Sequence, residues 1–338
     1  MKLGLTVPYT DYLPREMVVA FVQAADRLGY DSVWVAEAYG WDAFTVLTQL
    51  ACATQRIKIC SGIVNVFSRS PALIGQTAAS LDAISGGRFV LGLGTSGHQV
   101  VSGWHGVRFE KGVRRMREAV DIVRLVVARE RVTYDGEIFH LGMGLKLITH
   151  PVRDRIPVYL ATLTPGGVRL AGEIADGWLP VFFSPRHYEA VVRPQLEEGA
   201  AAAGRPLSEV SICPFQPVVV TDDRRAGRES ARPHLALYIG GMGSREKNYY
   251  NQLWRRYGFE DEAARIQDLY LERRKDEAMA AVTDEMVDLV TIIGPVEECK
   301  ERLAELERCG IHEAAIALSV PDNDPSAVMA ALEALAPA

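Results

Sequence analysis

Apolar and polar residues follow two periods along this chain, and the two alternate from end to end. Short runs rich in Val, Ile and Leu read as buried strands. The longer stretches between them, apolar every three or four positions, read as helices. Strands are predicted over 2–7, 32–36, 57–64, 89–93, 157–161, 177–181, 210–220 and 314–318, the first ending at Pro8. Helices are predicted over 17–28, 42–54, 71–84, 111–130, 166–175, 188–203, 296–307 and 325–335. Their ends carry suitable punctuation: Gly29 closes the first, Asp42 caps the second, and the third starts on Pro71 and stops before Gly86-Gly87. Two segments break the rhythm. A hairpin is predicted from 132–134 through Asp135-Gly136 to 138–141. The charged stretch 222–282, interrupted by Gly240-Gly241-Met242-Gly243, reads as an inserted helical excursion, either a lid or an ordinary solvated layer.

Strand–helix units repeated about eight times predict a closed (β/α)8 TIM barrel, a fold of about 250 residues before insertions. The whole chain, 1–338, is then one domain. An open dinucleotide-binding sheet fits less well, because no Gly-x-Gly-x-x-Gly follows the first strand. In a barrel the active site lies at the C-terminal ends of the strands. Those positions hold Glu37, Tyr39, Trp41 and Asp42, then Asn65, Phe67, Ser68 and Arg69, then Thr95, Ser96, His98, Gln99, Trp104 and His105, then Thr162 and Thr164. Aromatics, hydroxyls and amides dominate. The carboxylate and histidine clusters of a hydrolytic metal site are missing, as is a nucleophile elbow, so no metal is expected. A flat aromatic ligand with hydrogen-bonding edges suits this set better than a phosphosugar. Thr164-Pro165-Gly166-Gly167 opens a helix and reads as an anion site or as a plain capped start. Gly62-Ile63 reads as a bulge or as an unremarked strand end.

Bulk composition narrows the partners. The net charge of −6, with no basic run, argues against nucleic acid and anionic membranes. A hydrophobic fraction of 48% supplies a full core, yet no run reaches transmembrane length. The five cysteines are scattered, with no Cys-x-x-Cys pair, which favours buried thiols in a reducing compartment. The N-terminal apolar run is too short for a signal peptide. A cytoplasmic protein acting on a small molecule is the expectation.

Several segments resemble the luciferase-like oxidoreductases, and within them the branch that uses the deazaflavin coenzyme F420. They are Ser32-Val33-Trp34-Val35-Ala36-Glu37, Ser61-Gly62-Ile63-Val64-Asn65 with Arg69-Ser70-Pro71, Ile156-Pro157-Val158-Tyr159-Leu160-Ala161, and Ala175-Asp176-Gly177-Trp178. A further one is Leu81-Asp82-Ala83-Ile84-Ser85-Gly86-Gly87-Arg88-Phe89-Val90-Leu91-Gly92-Leu93-Gly94, whose most specific part is Ser85-Gly86-Gly87-Arg88 leading into Gly92-Leu93-Gly94. The resemblance implies a TIM barrel of the luciferase-like type, commonly a homodimer. It further implies a cis Gly62–Ile63 peptide behind the deazaflavin ring, Asn65 near the ring edge, and the cofactor phosphate at Ala161, Thr162, Leu163 and Thr164. With Gly94 and Thr95 at the end of the fourth strand, these form the expected cofactor-binding set. Sugar-phosphate dehydrogenases of this family carry a histidine after the acid at Glu37 and a glutamate in the fourth-strand loop; here Ala38 and Gly97 stand there.

Hydride transfer between the deazaflavin and a small, mostly apolar organic substrate is therefore expected, with the chemistry carried by the cofactor. The candidate catalytic residues are Tyr39, His98 and His105, with Glu37 as their orienter. The aromatic mouth is expected to comprise Tyr39, Trp41, Phe67 and Trp104. The alternatives are an FMN-dependent monooxygenase on the same barrel and a non-catalytic cofactor-binding member.

Overall fold

The computed structural model describes residues 1–7 and 14–337, so the break expected at Pro8 lies outside the described residues. Lys2–Val7 pairs in parallel with Ser32–Val35 on one side and Glu313–Ser319 on the other. From Ser32–Val35 the parallel pairing continues through Lys58–Ser61, Phe89–Gly94, Val158–Ala161 and Gly177–Trp178. Segment 211–220 closes the ring. Ser211–Ile212 pairs with Gly177–Trp178, and Phe215–Val220 pairs with Glu313–Ser319. Between these pairings the amides of Cys213 and Phe215 donate to the carbonyls of Trp178 and Pro180, at 3.0 and 2.8 Å. On the opposite side the Pro214 carbonyl accepts from Ala315 at 3.0 Å. The eightfold barrel expected from the alternation is thus present.

Three local expectations change. The single strand predicted over 210–220 is split at Cys213-Pro214, because proline has no N–H to contribute to a ladder. A strand not anticipated, Ile292–Gly294, adds to Phe215–Val220 outside the ring; it is too short for its alternation to show. The hairpin consists of Val132–Asp135 and His140–Leu145, with Asp135 opposite His140, so the connection is longer than a two-residue turn. A buried carboxylate on the helix Gly112–Val127 sets it: Glu118 accepts the amides of Glu137, Ile138 and Phe139 at 2.8, 3.0 and 3.0 Å.

Because successive strand residues point to opposite faces, one set faces the surrounding helices and the other fills the barrel. Trp34, Cys60, Val90, Tyr159, Leu179, Cys213 and Ala315 make the interior plug, and Ile63, Ala161 and Phe215 pack on it while remaining partly accessible. The Trp34 ring lies 5.6 Å from Tyr159 and 5.7 Å from Phe215. Gly92 is required within this layer: a Cβ there would sit 1.9 Å from the Ser61 carbonyl oxygen. The Ser61 hydroxyl both accepts from the Gly92 amide and donates to its carbonyl.

The excursion is helical as expected, built from Arg224–Ala236, a wide turn at Leu237–Gly241, Tyr249–Arg256, Glu260–Leu271 and Lys275–Ala280. It has its own buried cluster, including Leu235, Ile239, Leu253, Trp254 and Ile266, which extends onto Phe182 and Val219 of the barrel. It meets the barrel at three strand ends. Gln99 donates to the Gly241 carbonyl at 3.2 Å, Arg256 to the Leu163 carbonyl at 2.6 Å, and the Tyr257 hydroxyl to the Phe182 carbonyl at 3.1 Å.

Candidate active site

The site begins where the third strand stops being regular. Cys60 pairs with Val90, but Val64 pairs with Leu93, so four steps along the third strand span three along the fourth. That one extra residue is a β-bulge, and it coincides with a cis peptide bond between Gly62 and Ile63. Gly62 leaves room for the Phe215 ring, whose Cζ would be 2.5 Å from a Cβ placed there. Gly94 leaves room for Ile63: a Cβ on it would lie 3.1 Å from Ile63 Cδ1 and 3.3 Å from the Ala161 carbonyl. Ile63, Gly94 and Ala161 therefore form one patch at the C-terminal end of the barrel.

Asn65 follows in register opposite Gly94 and is only 1% exposed. Its Oδ1 accepts the Phe67 amide at 2.8 Å, while its Nδ2 is buried with no partner among the described residues. A buried donor left unpaired costs about 1–3 kcal/mol, and beside a strand-end patch a bound ligand or a water is what would satisfy it.

Glu37 follows the second strand, whose Val35 carbonyl accepts the Gly62 amide at 2.7 Å. Its side chain is 8% exposed and accepts from Arg69 at 2.5 and 2.8 Å, and from the Ala43 amide at 3.1 Å. Arg69 also binds Asp42. Burial by itself would raise the Asp42 carboxyl, but hydrogen bonds from Thr45 and the Arg69 charge hold it below its usual value. Among the described residues Glu37 has no hydrogen bond to Tyr39, His98 or His105, the groups it was expected to orient; its oxygens accept from Arg69 and the helix start.

The loop after the fifth strand is compact. The Thr162 carbonyl accepts from Trp178 Nε1 at 2.9 Å, and Thr164 caps the helix Pro165–Ile174 through the Gly167 amide at 3.2 Å. The Leu163 carbonyl takes Arg256 from the helical excursion. Sequence reasoning missed Arg256, since nothing in Trp254-Arg255-Arg256-Tyr257 links it to a loop 93 positions away. Thr95 closes the fourth strand; its hydroxyl donates to the Ser96 carbonyl at 3.3 Å, and Ser96 adopts a left-handed backbone with φ of 56°.

The proton-handling candidates sit at the periphery. Tyr39 is 63% exposed. His98 is exposed and packs edge-on to Phe109 at 6.2 Å, ahead of the π-helical turn Gln99–Trp104. His105 closes that turn, half-buried. Of the expected aromatic mouth, Trp41 and Trp104 are exposed, but Phe67 is not part of it. Phe67 is buried 5.3 Å from Phe109 with the Arg115 guanidinium 4.6 Å over its ring, a packing role that its place after a strand end did not reveal.

A barrel with this strand order and a bulged third strand invites comparison with known proteins. A profile of luciferase-like monooxygenases matches residues 6–313. The chain belongs to the luciferase-like monooxygenase family. Among curated luciferase-like relatives, a Mycobacterium tuberculosis protein provisionally named a coenzyme F420-dependent oxidoreductase is 41% identical over 324 residues, covering 92% of this chain and 93% of that one. The 5,10-methylenetetrahydromethanopterin reductase of Archaeoglobus fulgidus is 31% identical over 318 residues, covering 92% and 91%. Among solved structures, the coenzyme F420-dependent tetrahydromethanopterin reductase from Methanopyrus kandleri superposes with a TM-score of 0.83 at 23% identity. It covers 99% of this chain and 97% of that one, which establishes the shared barrel.

Proposed function

We propose that this luciferase-like protein is a coenzyme F420-dependent oxidoreductase acting on a small, mostly apolar organic molecule. The observation that carries the reading is the buried Asn65 Nδ2, which has no acceptor among the described residues, next to the bulged Gly62–Ile63 patch and its platform of Ile63, Gly94 and Ala161. A planar heterocycle with carbonyl groups on its edge fits both. The naming of the Mycobacterium tuberculosis relative for coenzyme F420 supports the choice over FMN.

When bound, the deazaflavin supplies a hydride donor or acceptor at its C5. The protein's own contributions are positional. Ile63 would back the ring, Asn65 Nδ2 would donate to its edge, and Ala161, Thr162, Leu163 and Thr164, at the start of the helix Pro165–Ile174, would hold the phosphate. The Glu37–Arg69 pair keeps the neighbouring wall polar without leaving a free carboxylate. Proton exchange with the substrate falls to Tyr39 Oη or to a ring nitrogen of His98 or His105. The replacement of the sugar-phosphate dehydrogenase pair by Ala38 and Gly97 argues against a sugar-phosphate substrate.

Titration of the purified protein with F420 and with FMN, followed by fluorescence, tests the cofactor; preference for FMN would overturn the assignment. A turnover screen over ketones, alcohols, enones and imines tests the reaction. His98→Ala and His105→Ala should lower turnover while leaving F420 affinity intact, and unchanged rates in both variants would remove them from the reaction. The reading includes a cytoplasmic homodimer. All five cysteines are free thiols, and the hairpin and the segment after it expose Met143, Leu145, Ile148 and Val152. Sedimentation analysis tests the dimer, which a monomer at micromolar concentration would contradict.

A further inference from the structure

The helix Arg224–Ala236 and the wide turn after it run across the mouth of the barrel. At one end His234 lies against Phe182, just past the sixth strand, with ring centres 5.7 Å apart. At the other end the Gly241 carbonyl accepts from Gln99, in the loop after the fourth strand. The fifth strand stands between those two in the ring, so the stretch 234–241 passes over its end, where Ala161 contributes to the cofactor patch. Gly227 and His234 are two turns apart and share a helix face. That face is turned to the strands: a Cβ on Gly227 would sit 2.4 Å from Ile293 Cγ2.

The His234 side chain is open to solvent. Protein nevertheless closes in on it far enough that desolvation pushes its pKa down to about 4. A side chain both reachable and desolvated lines a recess rather than a convex surface. The walls of this recess are aromatic. The Tyr238 ring stands 4.5 Å from His234, and Phe182 meets Tyr238 and Tyr250 edge-on at 5.4 and 5.9 Å. Phe182 holds a left-handed backbone with φ of 52°, an uncommon and strained conformation for a bulky residue, and the Tyr257 hydroxyl pins its carbonyl at 3.1 Å. Neither ring nitrogen of His234 has a hydrogen-bond partner among the described residues; its printed contacts are to rings. On the same helix Arg228 pairs with Asp284 and Asp288, and Arg232 with Glu229 and Asp284, so these charges are balanced among themselves. At neutral pH the recess thus offers an uncharged imidazole, with one N–H donor and one acceptor nitrogen, between flat apolar walls.

This inference rests on the reading of the protein as an F420 enzyme and deepens it by naming the substrate class. We propose that His234, carried by the helical excursion and walled by Phe182 and Tyr238, is the substrate-recognition residue of the site, and that it selects neutral aromatic or unsaturated ketones and alcohols. The rings take the flat apolar body of such a molecule, and the imidazole takes its one oxygen. A carboxylate of the same shape is rejected, because it would lose its hydration with no cation to replace it. His234 binds rather than reacts, so its removal shows in substrate affinity.

The test uses three probes of nearly one shape: acetophenone, benzoate, and α-methylstyrene, in which a methylene replaces the ketone oxygen. Their dissociation constants are measured by calorimetry on protein saturated with oxidised F420, which has no hydride to give a ketone, so binding is read without turnover. The proteins are the wild type, His234→Phe, His234→Leu and His234→Gln, with thermal melting to confirm folding. Loss of one neutral hydrogen bond predicts acetophenone binding about 3- to 10-fold weaker in His234→Phe and His234→Leu. His234→Gln should recover part of the loss, α-methylstyrene should bind His234→Phe as it binds the wild type, and benzoate should bind the wild type more weakly than acetophenone. Acetophenone should also shift the His234 ring signals in the NMR spectrum of the wild type, identified by their absence from His234→Gln. Equal acetophenone affinity in the wild type and either apolar variant, an equal loss for α-methylstyrene, benzoate bound as tightly as acetophenone, or no acetophenone binding with unmoved ring signals would each overturn the role of His234 while leaving the F420 assignment standing. Failure of the wild type to bind F420 would bring down the functional reading and this inference with it.

Discussion

Asn65→Ala separates the cost of the unpartnered amide from its use. In the free protein the substitution deletes two opposing contributions. It removes the Oδ1 that accepts the Phe67 amide at 2.8 Å, a loss of about 1–2 kcal/mol for a buried neutral contact. It also removes the buried Nδ2 that has no acceptor, a relief of about 1–3 kcal/mol. The two nearly cancel, so the unfolding free energy of the free protein should move by no more than about 1 kcal/mol in urea denaturation. Binding should behave differently. If Nδ2 meets the edge of the ring, the wild type gains on binding what it lacked before, and Asn65→Ala forfeits it. That predicts an F420 dissociation constant raised by about 5- to 150-fold, from about 1–3 kcal/mol at 1.4 kcal/mol per factor of ten. Fluorescence quenching measures the constant. Unchanged affinity in a variant of near-native stability would refute the reasoning, because the orphan donor would then have nothing to do with the ligand.

Two further outcomes concern the scaffold. Gly92→Ala places a Cβ 1.9 Å from the Ser61 carbonyl oxygen and 3.1 Å from Leu179 Cδ1, between strands that cannot separate without losing their ladder. A destabilisation of about 3 kcal/mol in urea is expected, and a loss under about 1 kcal/mol would show the barrel wall to be pliable there. Glu313 is buried at the start of the eighth strand, and burial raises its pKa above 4.5 against the opposing pull of Lys58 and the Tyr159 hydroxyl at 3.0 Å. Its stabilising contribution is then fully present below about 4.5 and is lost as pH rises through the folded value. Glu313→Gln should consequently gain on the wild type between pH 4 and pH 7 in thermal melts, and a constant difference would contradict the raised pKa.

The parts of the fold that were legible in the sequence are those fixed by nearby residues. The helix Pro71–Ile84 matches its predicted limits because Ser70 caps Leu73, Pro71 fills the first position and Gly86-Gly87 follows its end. The hairpin turn was misjudged because Glu118, on another element, takes the three turn amides. Ile292–Gly294 was missed because three residues carry no period.

The first part of the most specific family segment, Ser85-Gly86-Gly87-Arg88, belongs with Asp82 to a clamp at the far end of the barrel from the site, whereas its last residue, Gly94, lines the site. Arg88 donates to the carbonyls of Ala51, Thr54, Ile57 and Ser85, and Asp82 takes Arg153. That clamp identifies the scaffold and says nothing of the reaction. At the mouth, residue type indicated the bulge and Asn65, but not that Glu37 is consumed by Arg69 or that Arg256 returns from the excursion. Those depend on contacts between residues 32 and 93 positions apart.

A crystal of this protein soaked with F420 tests the central claim most directly. The account predicts one face of the tricyclic ring against Ile63, with Asn65 Nδ2 within about 3 Å of an acceptor on the ring edge. A ring bound elsewhere, or bound here with the Asn65 amide still unpaired, would contradict it.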